Sequence, residues 1–395
     1  MFEVHQPVRI KLGKRRVEGL EEFKKEWFDW DLSKEVIERA SRKCYEPANS
    51  IILEEIQRAK DEGERFKVSF SLSGILIEQL KMFRPEIIES FRQLVKTGDV
   101  ELLCQTYYHS LSSLFKDPNE FKEQVEMHRK LIKREFGYEP VTFENTEFIY
   151  DDAIGDVIAK LGFKAILTEG AERILGWRSP TYLYKTKSGL RLLMRHYKLS
   201  DDIGFRFSNR SWNQWPLTAD KYADWLSKLQ GQFVLLAMDY ETFGEHHWPE
   251  TGIYEFLRYL PRKVLKRGLK FATPKEIAEK IEPVDVIEVS PSSTLSWADI
   301  DKGIGAWAGN IMQRTALEEV EGIGKIVRTK EEKEIWRLFQ ISDHFHYMFT
   351  GMGGPMEVHG YFSPFKDPVL AFVTYTRGLL AFLRLLLTKR SKKRR

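Results

Sequence analysis

Six short runs of apolar, β-branched or aromatic residues recur between Phe66 and Pro283, and each closes on polar residues. They are FKVSFSLSG from Phe66, VELLCQTYYH from Val100, VTFENTE from Val141, FKAILTEG from Phe163, FVLLAMDYETFGEH from Phe233 and LKFATPKEI from Leu269. Amphipathic helical patterns lie between them. PEIIESFRQLVKTG stops at Gly98, and FKEQVEMHRKLIKREFG stops at Gly137 with basic residues in its last turns. Such alternation builds a parallel sheet, and sustained over this length it favours a closed barrel over a small doubly wound sheet. After Pro283 the texture changes. KEEKEIWRLFQISDHFHYMF and DPVLAFVTYTRGLLAFLRLLL carry apolar residues at three- and four-residue intervals, the spacing of helices. The expected organisation is α/β: a catalytic barrel over 1–283, a helical domain over 284–388 and a basic tail over 389–395.

Charge narrows the partners. The chain has 62 Lys and Arg against 58 Asp and Glu, a net +4, but the last seven residues supply six positives, which leaves −2 for the rest. The body is therefore not a basic nucleic-acid binder, and the tail reads as a solvated terminus. Thr374, Tyr375, Thr376 and Arg377 interrupt the last apolar run, so it is expected to pack on the protein and not to cross a membrane. Two cysteines, Cys44 and Cys104, cannot frame a disulfide scaffold, and MFEVHQPVRIKLGKRR lacks the features of a secretion signal. A reducing, cytoplasmic setting is expected. Charged residues at 30% suggest a heat-adapted surface.

In a β/α barrel the strand ends and following loops form the active face, so acids just after strand runs are the informative ones. Glu147 follows VTFENT and Asp239 follows FVLLAM. A single strand-end acid is commonly a helix cap or a structural ion pair. A pair on one barrel mouth suits glycosidic chemistry: one carboxylate attacks the anomeric carbon while the other protonates the leaving oxygen and later activates water. The stretch Asp239 to Trp248 gathers three carboxylates, two histidines and aromatic residues, and a continuing strand would put Glu241 on the same face as Asp239.

These segments together resemble glycoside hydrolase family 57, in particular its archaeal alpha-amylase-like branch. The resemblance rests on HQP at His5 to Pro7, GDVELLCQTYYHSL from Gly98, FENTEFIY around Glu147, MDYETFGEHHW around Asp239 and STLSWADIDKGIGAWAGN from Ser293, in that order. It extends to SDDIGFRFS from Ser200 and HGYFSPF from His359. It implies an incomplete (β/α)7 barrel followed by a C-terminal α-helical domain, acting on α-glucan or malto-oligosaccharide with retention of configuration. Glu147 would be the nucleophile and Asp239 the general acid/base. His5, Gln6, Glu101, His109, Glu241 and His246 would line the bound sugar, and Trp297, Asp299 and Trp307 of the helical domain would close over the mouth. Trp297, amid Ser296, Asp299 and Asp301, reads as a sugar platform, whereas Trp336 reads as core. Glu144 departs from the pattern, which has a basic residue there; a second charge three positions from Glu147 is expected to raise its pKa or to alter substrate preference.

Three rival readings stay open. A glucanotransferase or branching enzyme would use the same two carboxylates, with the outcome set by exclusion of water and retention of the acceptor. A metal-dependent hydrolase would need His5, Asp239, His246 and His247 as ligands, but adjacent histidines on an extended chain do not aim both rings at one ion. His344 and His346 lie two apart in an expected helix and face different ways. No metal and no cofactor are therefore expected. A catalytically silent glucan-binding homologue is the third, against which the intact acid pair stands. Oligomeric state has no sequence signature here.

Overall fold

Seven short parallel strands close on one another in this computed structural model, which describes residues 1–14, 16–298, 300–351 and 363–394. They are β1 (Phe2–Val4), β2 (Val68–Leu72), β3 (Val100–Leu102), β4 (Thr142–Glu144), β5 (Ala165–Glu169), β6 (Arg191–Arg195) and β7 (Met238–Asp239). One sheet carries β7, β1, β2 and β3 side by side, and a second carries β4, β5 and β6. Single parallel bridges, Cys104 to Phe143 and Arg195 to Leu235, join the two sheets into a ring. Helices follow the strands as the amphipathic patterns predict. Pro85–Lys96 starts on a proline, and Asn119–Phe136 ends on Gly137, whose φ of 65° is left-handed.

Two of the strands differ from the sequence reading. LKFA from Leu269 forms no strand, because β1 pairs directly with β7 (Phe2 with Met238, Glu3 with Asp239) and leaves no gap to fill. Those residues instead line an apolar cavity of about 470 Å³ at the closed end of the barrel, where Phe271 meets the Phe66 ring edge-on. Thr273 then caps the helix Pro274–Lys280 in a reciprocal box with Glu276. Conversely, RLLMR at 191–195 supplies β6, a strand the apolar runs did not single out.

Register decides which side chains face the barrel axis. Partners across parallel strands share a face, so Glu3 pairs with Ser71, Ser69 with Glu101, Glu144 with Leu167, Leu167 with Leu193 and Glu3 with Asp239. The alternate residues Phe2, Phe70, Leu102, Phe143, Ile166 and Leu192 face the helices and belong to the large outer core. A separate small core inside the ring holds Leu103, Ala165, Leu167, Leu193, Leu235 and Ala237. Polar residues from β1 to β4 fill the other half of the interior, so the inside of the barrel is split by chemistry.

Asp285–Val286 still adds to the barrel sheet beside Tyr184–Lys185, and continuous helical structure begins at Gly305. The expected single helix across 330–349 breaks in two, Lys330–Leu338 and Ser342–His346, because Ile341 bridges to Ser110 of the barrel. The last helix, Pro368–Arg394, takes in residues 389–394 of the basic tail. It is long and apolar enough for a membrane span by composition. In this fold half of that window is buried, Phe382 packs against Phe23 and Phe339, and the Tyr375 hydroxyl donates to Phe339 O at 2.7 Å.

Candidate active site

Beyond β4 the chain enters a tight turn, Thr146–Phe148, in which Glu147 and Phe148 take left-handed φ values of 59° and 55°. His109 also has a positive φ, 49°. Outside glycine this conformation costs on the order of 1–3 kcal/mol per residue, so the surroundings must hold it. They do. Ser296 Oγ and the Trp297 N–H donate to the Glu147 carbonyl at 2.9 and 3.3 Å, and Thr106 and Thr146 share a hydroxyl hydrogen bond of 2.7 Å.

The Glu147 carboxylate receives donors from three parts of the chain. His109 Nε2 lies 3.3 Å and Ser342 Oγ 2.9 Å from Oε1, and Trp297 Nε1 donates to Oε2 at 2.8 Å. Trp297 itself stacks on Phe148 with centroids 4.7 Å apart, and the Arg195 guanidinium lies over its ring at 5.5 Å. A carboxylate with such donors is held as an anion in one orientation.

Asp239 ends β7 on the other side of the ring, above Ala237 and Leu235. Burial, helped by the Glu147 charge, pushes its carboxyl up to about 7, although His109 and Arg195 oppose the shift. Asp239 therefore keeps a proton near neutrality while Glu147 is presented as a base. Glu241 does not continue the strand. It sits in the turn Tyr240–Thr242, where its carboxyl accepts from Tyr45 Oη at 2.5 Å and Gln6 Nε2 at 3.2 Å, and burial raises it to about 8.

His5 stacks on His109 with ring centroids 4.0 Å apart. Its Nδ1 lies 2.7 Å from Ser73 Oγ and its Nε2 3.0 Å from Asp343 Oδ2. Burial, then the charge on His109, pulls His5 down to about 4, whereas Glu147, Glu3 and Asp343 outweigh burial at His109 and lift it to about 9. Two stacked rings thus hold one charge. Gln6 joins the two sides, because Arg9 Nη2 donates to its Oε1 at 3.0 Å while its Nε2 reaches Glu241.

The structure thus gathers Glu147, Asp239, His5, Gln6, His109, Glu241 and Trp297, but it places two other expected residues, Glu101 and Trp307, differently. Glu101 lies on the inward face of β3, four residues below Gln105 or about 13 Å at the usual strand rise. There it accepts from Thr142 Oγ1 and, at 2.8 Å, from the Lys275 N–H at the start of the helix Pro274–Lys280. It serves the closed end of the barrel and not the mouth. Trp307 is fully buried and donates to Ser296 Oγ at 2.9 Å, supporting the nucleophile turn from behind without presenting a face to a sugar. Through its backbone N–H, His246 holds the Glu241 carbonyl at 2.9 Å. Asp299 and the stretch from His359 to Phe362 lie outside the described residues.

The loop after Asp239 is also more structural than its composition suggests. Glu245 pairs with Arg39 at 2.7 Å and Lys43 at 3.7 Å, and Gly244 passes so close to the Lys43 carbonyl that a Cβ would lie 1.9 Å from it. The His247 ring lies within 3.0 Å of Ser208 Oγ and of the Ile203 and Gly204 carbonyls. The rival metal set is thereby split between separate duties, and among the described residues no group of three His, Cys, Asp or Glu side chains converges for a metal.

Ser342, Asp343, Glu3, Gln105 and Arg195 were not among the expected site residues. Glu3 had a signal, since it shares parity with His5 on the first strand. Ser342 and Asp343 had a weaker one, polar residues inside an otherwise helical apolar pattern. Arg195 closes an unrecognised strand and binds Glu169 at 2.8 Å and Asp201 at 2.6 Å, with Lys302 approaching both. Arg173 clamps the loop that carries Trp297 by donating to the carbonyls of Ser293, Thr294, Asp301 and Lys302.

Residues 1–290 match the family model described as Glycosyl hydrolase family 57. A Methanocaldococcus jannaschii protein with a provisional alpha-amylase name is 46% identical over 393 residues, 96% of this chain and 83% of that one. An alpha-amylase of Pyrococcus horikoshii is 29% identical over 143 residues, 36% of this chain and 20% of its own length. Among solved structures, the 4-alpha-glucanotransferase of Thermococcus litoralis aligns with a TM-score of 0.70 at 17% identity over 97% of this chain, which spans 59% of that one. The Thermotoga maritima alpha-amylase AmyC aligns at 0.62 and 14% identity, covering 99% and 93%. At those identities the structures show a shared fold.

Proposed function

Because the chain belongs to glycosyl hydrolase family 57, we propose that it hydrolyses α-1,4-linked glucan with retention, using Glu147 as nucleophile and Asp239 as general acid/base. The observation that carries this reading is the contrast between the two carboxyls. Glu147 accepts from His109, Ser342 and Trp297, whereas Asp239 is lifted to about 7 by burial and by the Glu147 charge.

In the first step Glu147 attacks the anomeric carbon as Asp239 gives its proton to the glycosidic oxygen, and the C–O bond to the leaving glucan breaks. The product is a glycosyl ester on Glu147 with Asp239 now a carboxylate. In the second step Asp239 takes a proton from water, whose oxygen attacks the same carbon and releases Glu147. Loss of the Glu147 charge on esterification lowers the Asp239 pKa, which suits its change from acid to base. His109, Ser342 and Trp297 hold the nucleophile in place between cycles.

Incubation with maltoheptaose, in parallel with Glu147→Gln, tests the assignment. Shorter products with matching new reducing ends are expected, and the variant should lose roughly 10⁴-fold or more in turnover. Products longer than seven units would instead make the enzyme a glucanotransferase, and unchanged turnover in the variant would remove Glu147 from the mechanism.

A further inference from the structure

Directly below the nucleophile turn, two carboxyl side chains, Glu3 of β1 and Glu144 at the end of β4, meet inside the barrel. Both are buried, at 3% and 0% exposure. Among the described residues neither forms an ion pair with Lys or Arg, and the basic group nearest to hand is His109, whose Nδ1 lies 3.7 Å from Glu3 Oε1. With a single imidazole beside them that also serves Glu147, two carboxylates in contact do not both ionise. We propose that Glu3 and Glu144 share one proton and act together as a positioning pair that fixes His109 as a double N–H donor beneath Glu147. This rests on the reading of Glu147 as the nucleophile.

The hydrogen-bond directions support it. Gln105 Nε2 donates to Glu3 Oε1 at 2.9 Å and to Ser71 Oγ at 2.7 Å. Ser71 Oγ donates onward to Glu144 Oε2 at 2.9 Å, and the Phe148 N–H reaches Glu144 Oε1 at 3.4 Å. The remaining contact of Glu144 is with Glu3, and the buried Glu3 Oε2 receives no donor, which leaves it as the oxygen to carry the shared proton. With both amide protons of Gln105 committed, its Oε1 is an acceptor, so His109 Nδ1 at 2.8 Å carries hydrogen. His109 Nε2 faces the Glu147 carboxylate and is a donor too. An imidazole with two N–H groups is a cation.

The groups around that ring come from five elements. Glu3 stands on β1 and the stacked, neutral His5 follows it, Gln105 follows β3, Glu147 follows β4, Asp239 ends β7 and interacts with the His109 charge, and Asp343 approaches from the helix Ser342–His346. Glu144 touches His109 only through Ser71, Gln105 and Glu3. Its effect is to keep one negative charge in the pair while removing the second. The extra acid at this position therefore joins Glu3, while its charge and that of Glu147 still repel each other across the turn.

A shared proton has a distinctive signature. Glu3→Gln leaves an amide donor facing the Glu144 carboxylate, and Glu144→Gln leaves an amide donor facing the Glu3 carboxylate. Each single variant keeps one negative charge and one hydrogen between the pair, whereas the double variant removes the charge. Nitrogen-15 NMR of histidine-labelled enzyme, with His109 assigned through His109→Gln, reads the ring directly and without substrate. Both single variants should keep His109 doubly protonated through pH 7, and Glu3→Gln/Glu144→Gln should lower its titration by roughly one pH unit or more. Turnover on maltoheptaose in the double variant should then fall roughly tenfold below either single variant. Equal shifts in a single variant and in the double, or no shift in the double, would overturn the proposal. Should the double variant not fold, carbon-13 spectra of glutamate-labelled wild type serve instead. One carboxyl protonated at pH 7 must disappear in both Glu3→Gln and Glu144→Gln, and its persistence in either would overturn the shared proton. Because the ring titration needs no turnover, a chain inactive on maltoheptaose would refute the substrate without touching the pair.

Discussion

One half of the barrel interior is polar and the other apolar, and the two reacting carboxyls stand on opposite halves. Below Glu147, strands β1, β2 and β4 and the segment after β3 contribute Glu3, Ser71, Glu144 and Gln105, each hydrogen-bonded to another. Below Asp239, strands β5 and β6 and the segment leading into β7 contribute Ala165, Leu167, Leu193, Leu235 and Ala237. Glu147 is buried and Asp239 half-buried, so withdrawal from water alone would push both toward the neutral form. What separates them is where the donors go: His109, Ser342 and Trp297 donate to Glu147, whereas Arg195 above the apolar half is bonded to Glu169, Asp201 and the Ala237 carbonyl. The same residue chemistry thus yields an anion and an acid within one cleft.

The comparison breaks most visibly if Asp239 loses its proton. Asp239→Asn keeps the shape and removes the acid, so kcat on maltoheptaose should fall roughly 10²–10⁴-fold. A substrate with an aryl leaving group, which needs little protonation, should recover much of the first step. In the wild type the alkaline limb of kcat/KM should fall near pH 7, since Asp239 titrates at about 7 and the acid form is lost as pH rises. A limb unmoved by Asp239→Asn would place the acid elsewhere.

A smaller loss should follow on the polar half. Trp297→Phe keeps the stack on Phe148 and removes the donor to Glu147 Oε2. One charge-assisted hydrogen bond of about 1.5–3 kcal/mol corresponds to roughly ten- to a hundredfold in kcat. Its KM for maltoheptaose should change less than kcat, because the indole N–H serves the nucleophile. A change confined to KM would return Trp297 to the role of a sugar platform alone.

Much of this was legible in the chain before folding. Strand-end acids announced Glu147 and Asp239, because a strand followed by a polar turn fixes where a carboxylate emerges. The helix stop at Gly137 was equally plain. Other features depend on contacts far apart in sequence. Periodicity could not show that Ile341 would bridge to Ser110 and break a helix, which is what delivers Ser342 and Asp343 to the site. It could not tell which end of β3 carries Glu101, since an inward-facing residue on a short strand serves the mouth or the floor according to register. Nor could it show Glu144 turning inward to meet Glu3, a pairing 141 positions apart in the sequence.

Register makes a prediction of its own for Glu101. Glu101→Gln should leave kcat on maltoheptaose unchanged, because the residue binds Thr142 and the Lys275 N–H at the floor. It should cost on the order of 1–3 kcal/mol of stability through the weakened contact with a buried backbone donor, read as a lower urea midpoint. A fall in kcat with stability intact would carry Glu101 back to the sugar.

The gentlest test concerns Glu241, the buried acid behind Asp239. Its folded pKa of about 8 lies above the value near 4.3 of an unfolded glutamate. Between those values the unfolded chain sheds its proton while the folded one retains it, so stability is greatest at low pH and declines as pH rises toward 8. Glu241→Gln removes that titration while its carbonyl still accepts from Tyr45 and Gln6. The variant and the wild type should therefore melt together near pH 5 and diverge by about pH 8, with the variant higher by on the order of 1–2 °C for each kcal/mol recovered. Parallel melting curves across that range would mean that Glu241 ionises freely in the fold, and that donors from Tyr45 and Gln6 do for it what His109, Ser342 and Trp297 do for Glu147.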